Sequence, residues 1–219
     1  MPRVARVVIP GCPHHVTQRG NNRQDVFFVD DDRRVYLDVL RVQCQRFGLA
    51  IDAYCLMTNH VHLVATPGDA DALARAVGRT HWRYTQYVNE VHGRSGHLWQ
   101  NRFYSCPLDD EHFWTAVAYV ERNPARAKVV RTAWQYPWSS AAAHVIGSDA
   151  TGLLDLAAWA ERLPPDGDWR DALQQDGDDA DKLRRATVTG RPLASDRFIS
   201  KLETRLGRRL RTRPRGRPK

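Results

Sequence analysis

A chain of 219 residues, 42% of them hydrophobic, is long enough to bury one sizeable core, yet it holds no apolar run of the roughly 18 residues that a membrane-spanning helix requires. Four widely spaced cysteines with no Cys-x-x-Cys pair speak against a zinc knuckle or a dithiol redox centre, and the first residues lead into no secretion signal, so a cytoplasmic protein is expected. The net charge of +8 is spread unevenly: residues 149–182 carry ten acidic side chains and three basic ones, whereas 205–219 carry eight basic and no acidic ones.

In chain order, His14-His15-Val16-Thr17-Gln18-Arg19 reads as a first strand, ended by the turn residues Gly20-Asn21-Asn22, with Arg19 and Arg23 flanking the turn. Asp30-Asp31-Asp32 is an acidic helix start, followed by helically spaced apolar residues from Val35 to Phe47 and a stop at Gly48. Leu49 to Met57 is a strand by composition, Thr58-Asn59 a tight turn, and His60 to Thr66 a strand running back beside it. Pro67-Gly68-Asp69 starts a second helix over residues 70–92, with Leu73, Val77, Tyr84 and Val88 at helical spacing. Trp99 to Leu108 reads as a fourth strand with an aromatic and basic flank. Asp109-Asp110-Glu111 then opens a third helix running toward Asn123-Pro124.

Strand, helix, strand, strand, helix, strand, helix predicts an α+β fold, a ferredoxin-like split βαβ layout with a central antiparallel sheet backed by helices. In that layout the histidine strand lies inside the sheet. A boundary is expected near 148, giving a first domain over 1–148, an acidic then helical extension over 149–204, and a basic tail over 205–219. Short helices are expected around Leu153–Leu163 and Asp168–Leu173. Ser195 can cap a further helix whose Phe198, Ile199, Leu202 and Leu206 share one face and dock on another part of the protein. The tail, punctuated by Pro and Gly, cannot fold alone and suits a polyanion such as nucleic acid or an anionic membrane.

Within the hairpin, His60 and His62 bracket one apolar residue. Side chains alternate along a strand, so both imidazoles point one way while Val61 and Leu63 point the other. Such a pair forms two metal ligands on a rigid element, or simply two partly exposed sheet residues. A metal site needs a third donor and, if catalytic, a nucleophile. The third helix carries candidates for both: Tyr119 and Asn123 stand four residues apart and share a helix face.

Taken together, Tyr54-Cys55-Leu56-Met57-Thr58-Asn59-His60-Val61-His62-Leu63 and Tyr119-Val120-Glu121-Arg122-Asn123-Pro124-Ala125-Arg126-Ala127 resemble the REP-associated tyrosine transposases, single-tyrosine HUH transposases of bacterial insertion sequences. The likeness extends to His15-Val16-Thr17-Gln18-Arg19-Gly20-Asn21, to the segment from Gly93 to Arg102 and to Tyr136-Pro137-Trp138-Ser139-Ser140, so it spans residues 1–148. Thr189-Gly190-Arg191-Pro192-Leu193 resembles an extension seen in the same proteins.

This resemblance implies a DNA strand-transfer enzyme acting on single-stranded or hairpin DNA. His60 and His62 match the HUH metal ligands, Tyr119 the nucleophile and Asn123 the helix position that supplies a third ligand, for Mg²⁺ or Mn²⁺. Insertion-sequence relatives often have Gln where Asn123 stands, and many have Pro where Thr58 stands. The implied reaction passes through a 5′-phosphotyrosine with release of a 3′-OH. Arg19, Arg23, Arg102, Arg122 and Arg126 are candidate phosphate contacts, and Trp82, Trp99 and Phe103 candidate stacking platforms. The end of the tail, with Arg213, Arg215 and Arg217, resembles an AT-hook, which lies in the A·T minor groove. The protein is expected as a monomer or homodimer, in the cytoplasm and associated with the nucleoid. A replication-initiator-type nicking enzyme would share the chemistry but not the context around Asn123. A non-catalytic DNA-binding or repressor protein on the same fold would not need His60, His62 and Tyr119 all intact.

Overall fold

The computed structural model describes residues 6–163, 167–175 and 180–211. A four-stranded sheet holds β1 (His14–Arg19), β2 (Leu49–Met57), β3 (His60–Pro67) and β4 (Tyr104–Pro107) in the order β2-β3-β1-β4. Every neighbouring pair is antiparallel. Helix α1 (Asp30–Phe47) connects β1 to β2, and α2 (Ala72–Val91) connects β3 to β4. This is the split βαβ arrangement, with the histidine strand β3 paired on both sides.

The alternation of each strand sorts its side chains into two cores. On one face Val16, Tyr54, Leu56, Val61, Leu63 and Ala65 pack with Tyr36, Leu40, Val77 and Tyr84 from α1 and α2. On the other, Ala53, Cys55, Met57, Val64 and Cys106 pack under α3 (Asp110–Glu121), through Phe113, Ala116, Val117 and Val120. Buried Asp32 pins the start of α1: its Oδ2 accepts from the backbone N–H groups of Phe28 and Val29 at 2.7 and 3.0 Å, and its Oδ1 from Tyr87 and His92 of the α2 end. Gly48 closes α1 in the left-handed region at φ 63. Gly20 ends β1 for a different reason, since a Cβ there would stand 2.2 Å from the Gln24 carbonyl oxygen.

Two expected elements are shorter in the structure. The fourth strand begins at Tyr104 rather than Trp99, because residues 98–103 wrap over α2: the Trp99 ring stacks on His81 at 4.4 Å between centroids and its indole N–H donates to the His81 carbonyl. The third helix ends at Glu121. A separate turn, α4 (Asn123–Arg126), follows Arg122, with Pro124 in its first turn, where a missing N–H costs nothing.

Beyond residue 133 the chain adds α5 (Ala141–Ile146), α6 (Leu156–Arg162), α7 (Trp169–Gln174), α8 (Ala180–Thr189) and α9 (Asp196–Leu206). Trp159, Trp169, Leu173 and Leu183 belong to the same core as α3. Ser195 caps α9, whose Leu202 packs on Val7, Ile9 and Cys12 together with Leu210. Helix α8 lies along β4 and β1 and has no counterpart among the expected elements. No helix among the described residues is long and apolar enough to cross a membrane.

One buried polar group ties the extension to α3. Glu121, fully buried, accepts from the Ser140 hydroxyl, from His144 Nδ1 at 2.6 Å and from Trp169 Nε1 at 2.8 Å. Removing the carboxylate strands the His144 and Trp169 N–H groups away from water, while the Ser140 hydroxyl keeps the Tyr54 carbonyl at 3.3 Å. Glu121→Ala is therefore expected to lower unfolding free energy by about 3–5 kcal/mol, the cost of breaking a buried pair. Urea denaturation checks this, and a loss below about 1 kcal/mol would contradict the role assigned to the network.

Candidate active site

Register decides which residues face α3. His60 stands opposite Arg19 on β1 and Met57 on β2, and His62 opposite Thr17 and Cys55. Both imidazoles project to the α3 side, with ring centroids 5.0 Å apart, while Val61 and Leu63 are fully buried on the other. Tyr119 crosses above them, 5.5 Å from His62 between centroids and almost perpendicular to it. The structure thus brings together His60, His62, Tyr119 and Asn123 in one cavity of about 570 Å³, which Arg19, Arg126 and Arg184 also line.

Each of the two histidines has a hydrogen-bond partner at Nδ1. His60 Nδ1 lies 2.7 Å from Asn59 Oδ1, and Asn123 bonds the same imidazole. His62 Nδ1 lies 3.0 Å from His15 Nε2, and His15 Nδ1 lies 2.7 Å from Thr187 Oγ1 on α8. Burial, with Arg19 nearby, lowers the pKa of His60 to about 4, and burial beside His15 holds His62 well below 6.5. Both are therefore neutral, the form in which imidazole binds metal.

Tyr119 is held by two cations. Arg184 Nε donates to its hydroxyl at 3.1 Å, and the Arg126 guanidinium sits 4.2 Å from its ring centroid. Arg184, Thr187 and His15 were not singled out from the sequence. Arg184 and Thr187 lie on α8, just before the Thr189–Leu193 stretch, and His15 lies in the strand stretch; both stretches carried a resemblance, but neither marked these side chains.

The other expected contacts are dispersed. Arg23 is exposed in the turn after β1, and Arg102 lines a separate cavity of about 370 Å³ with Arg6, Trp82, Trp99 and Phe103. Trp82 is 48% exposed, whereas Phe103 is buried and covered by the Arg6 guanidinium at 3.6 Å. Arg122 is half-buried at the α3–α4 junction and does not line the histidine cavity. Arg213, Arg215 and Arg217 lie outside the described residues. Among the described residues, Asp109, Glu111 and His112 also group with metal-ligand spacing. The Asp109 oxygens are already engaged, Oδ1 by the His112 N–H and ring and Oδ2 by the Ser195 N–H at 2.7 Å. That cluster caps α3 and anchors the start of α9.

The family described as IS200-like transposases matches residues 9–123, a span that contains all four strands, both site histidines, Tyr119 and Asn123. No curated protein matches the chain. Among solved structures, a REP-associated tyrosine transposase bound to a REP hairpin has a similar fold, with a TM-score of 0.55 at 21% identity over 71% of this chain and 90% of that one. A putative transposase from Deinococcus radiodurans R1 aligns at 21% identity with a TM-score of 0.38, over 58% of this chain and 92% of its own. With the family's match running from before β1 to the site asparagine and covering more than half of its length, this chain belongs to the IS200-like transposases.

Proposed function

We propose that the protein is a divalent-metal-dependent endonuclease and strand transferase for single-stranded DNA, acting on REP-type hairpins through a 5′-phosphotyrosine. The observation that carries this reading is the convergence of the Tyr119 hydroxyl with His60, His62 and Asn123 on one cavity of a single chain. Two neutral imidazoles and an amide oxygen suit Mn²⁺ or Mg²⁺, with phosphate oxygens and water completing the shell. Bound there, the ion would supply Lewis-acid polarisation of the scissile phosphate.

In the proposed reaction the Tyr119 oxygen attacks phosphorus. An O–P bond forms to the tyrosine as its phenolic proton is lost, the bond to the 3′ oxygen breaks, and that oxygen takes up one proton to leave as a 3′-OH, so the proton count is unchanged overall. The Arg184 N–H that already points at the hydroxyl stabilises negative charge developing on the phenolic oxygen, and Arg126 and Arg19 offer charge to the phosphate. The covalent link conserves the phosphodiester energy, so a later 3′-OH can reseal the strand. Tyr119 packs over the histidines of its own chain, which supports catalysis within one protomer. The hairpin assignment rests on the fold it shares with the hairpin-bound transposase and on the basic residues around the cavity.

The test is a labelled single strand containing a hairpin, incubated with the full chain and resolved under denaturing conditions. A covalent protein–DNA adduct is expected with Mn²⁺ or Mg²⁺, absent after chelation and restored when either ion is returned. Adduct formation that persists undiminished in chelator would overturn the metal-dependent mechanism.

A further inference from the structure

We propose that Thr187, on a helix beyond the segment matched by the family, acts through His15 to fix the tautomer of His62, so that His62 presents an unprotonated Nε2 to the metal. This inference rests on the metal site proposed above and deepens it.

The polarity follows from one hydroxyl proton. Thr187 Oγ1 lies 2.7 Å from the Leu183 carbonyl oxygen, which can only accept, so the hydroxyl donates there. Its oxygen must then accept from its remaining neighbours, the Cys106 thiol at 3.3 Å and His15 Nδ1 at 2.7 Å. His15 therefore carries its proton on Nδ1. A neutral imidazole has a single N–H, which leaves His15 Nε2 as an acceptor. It faces His62 Nδ1 at 3.0 Å, so that nitrogen is the protonated one. Nε2 of His62 remains as the lone-pair nitrogen. Thr187 and His15 are each 1% exposed and His62 6%, so water has little opportunity to substitute for either partner.

Asn59 offers His60 the same polarity by a shorter route, in competition with Asn123, which bonds the same imidazole. The Asn59 amide N–H donates to the Arg23 carbonyl at 3.2 Å, which orients its oxygen toward His60 Nδ1. The two ligands are thus set by different parts of the chain, His60 by the hairpin turn next to it and His62 by α8, 125 positions further on in sequence. Thr187 touches neither metal nor substrate in this scheme; it is a positioning residue. Outer partners that orient ligand histidines typically govern metal affinity by about 10–100-fold.

The experiment uses the full-length chain with ¹⁵N-labelled histidine, metal-free, and reads the His62 tautomer from long-range ¹H–¹⁵N spectra. The same samples are then titrated with Mn²⁺ by electron paramagnetic resonance. Wild type and Thr187→Ser are expected to show His62 protonated on Nδ1 alone. The near-isosteric Thr187→Val should populate both tautomers and weaken Mn²⁺ binding by about tenfold, the lower end of the range for outer-shell partners. His62 protonated on Nε2 in the wild type would overturn the inference, and so would a Thr187→Val protein indistinguishable from wild type in both tautomer and Mn²⁺ affinity. The wild-type spectrum decides the polarity even if a variant fails to fold. Failure of the metal site itself reads out separately, as Mn²⁺ binding that His60→Ala leaves unchanged.

Discussion

Tyr119→Phe is expected to abolish the covalent protein–DNA adduct and to lower strand cleavage by at least about 10³-fold, in line with loss of a residue that acts as nucleophile. The substitution deletes one oxygen. It keeps the ring that stands edge-on to His15 and His62 and lies beneath Arg126, so the cavity keeps its walls. What disappears is the atom that Arg184 Nε contacts at 3.1 Å. Hairpin binding should therefore stay close to wild type while the adduct vanishes, a split that separates a lost nucleophile from a lost fold. Denaturing gels read the adduct and a mobility shift reads the binding. A Tyr119→Phe protein that still forms the adduct at the wild-type rate would sink the assignment of the nucleophile, and with it the 5′-phosphotyrosine pathway.

Mild acid is expected to unfold the protein, because several histidines are buried in the neutral form. Burial lowers the pKa of His14 from 6.5 to about 4, and those of His15 and His81 to about 3. The geometry shows why protonation is resisted. His14 is locked between the Cys12 carbonyl at its Nδ1 and the Ile9 N–H at its Nε2, so a second proton would face a donor. His81 is stacked on Trp99 with its Nε2 at the Tyr36 hydroxyl. As pH falls below 6.5 the unfolded chain takes up protons that the folded one refuses. The stability contributed by these groups is therefore complete above about pH 6.5 and is lost progressively toward pH 4 and below. Each contributes up to about 1.4 kcal/mol per pH unit, and three together about 4 kcal/mol per unit. Against a typical domain stability of about 5–15 kcal/mol, this places the acid transition near pH 4–5. Tryptophan fluorescence and circular dichroism against pH measure it, and a fully folded protein at pH 3.5 would contradict the argument.

Much of the fold was legible because its signals are local. Strands β1 and β2 begin and end where their composition changes, and α1 stops at the glycine expected to stop it. The His60–His62 pair was readable as a ligand pair for the same reason, since period-two alternation alone places both on one face. The third helix carried its Tyr119–Asn123 spacing across a break at Arg122 that no local signal announced, because Pro124 fits the first turn of a new helix as readily as the end of an old one.

Helix α8 was illegible. Only Leu183 and Thr187 are buried along it, too few to raise a periodic apolar pattern, and what places it against β4 and β1 is the Leu183 side chain entering the core shared with Phe113 and Trp159. The neighbouring histidines of β1 show the same limit at closer range. Sequence does not say which of His14 and His15 belongs to the site. Strand pairing does, by turning His15 toward His62 and Thr187 and His14 toward Ile9 and Cys12.

By itself, then, the sequence determined the elements of the sheet and its first three helices, their order, and which residue types are suited to holding a metal and attacking a phosphate, because these follow from spacing along a few turns or a single strand. The tertiary structure alone decided that Arg184 meets the Tyr119 hydroxyl and that a threonine on α8 lies at the end of a hydrogen-bonded path to His62. The contacts involved join residues 65 and 172 positions apart, Arg184 with Tyr119 and Thr187 with His15. They depend on burial and register, which become defined only when the whole core closes.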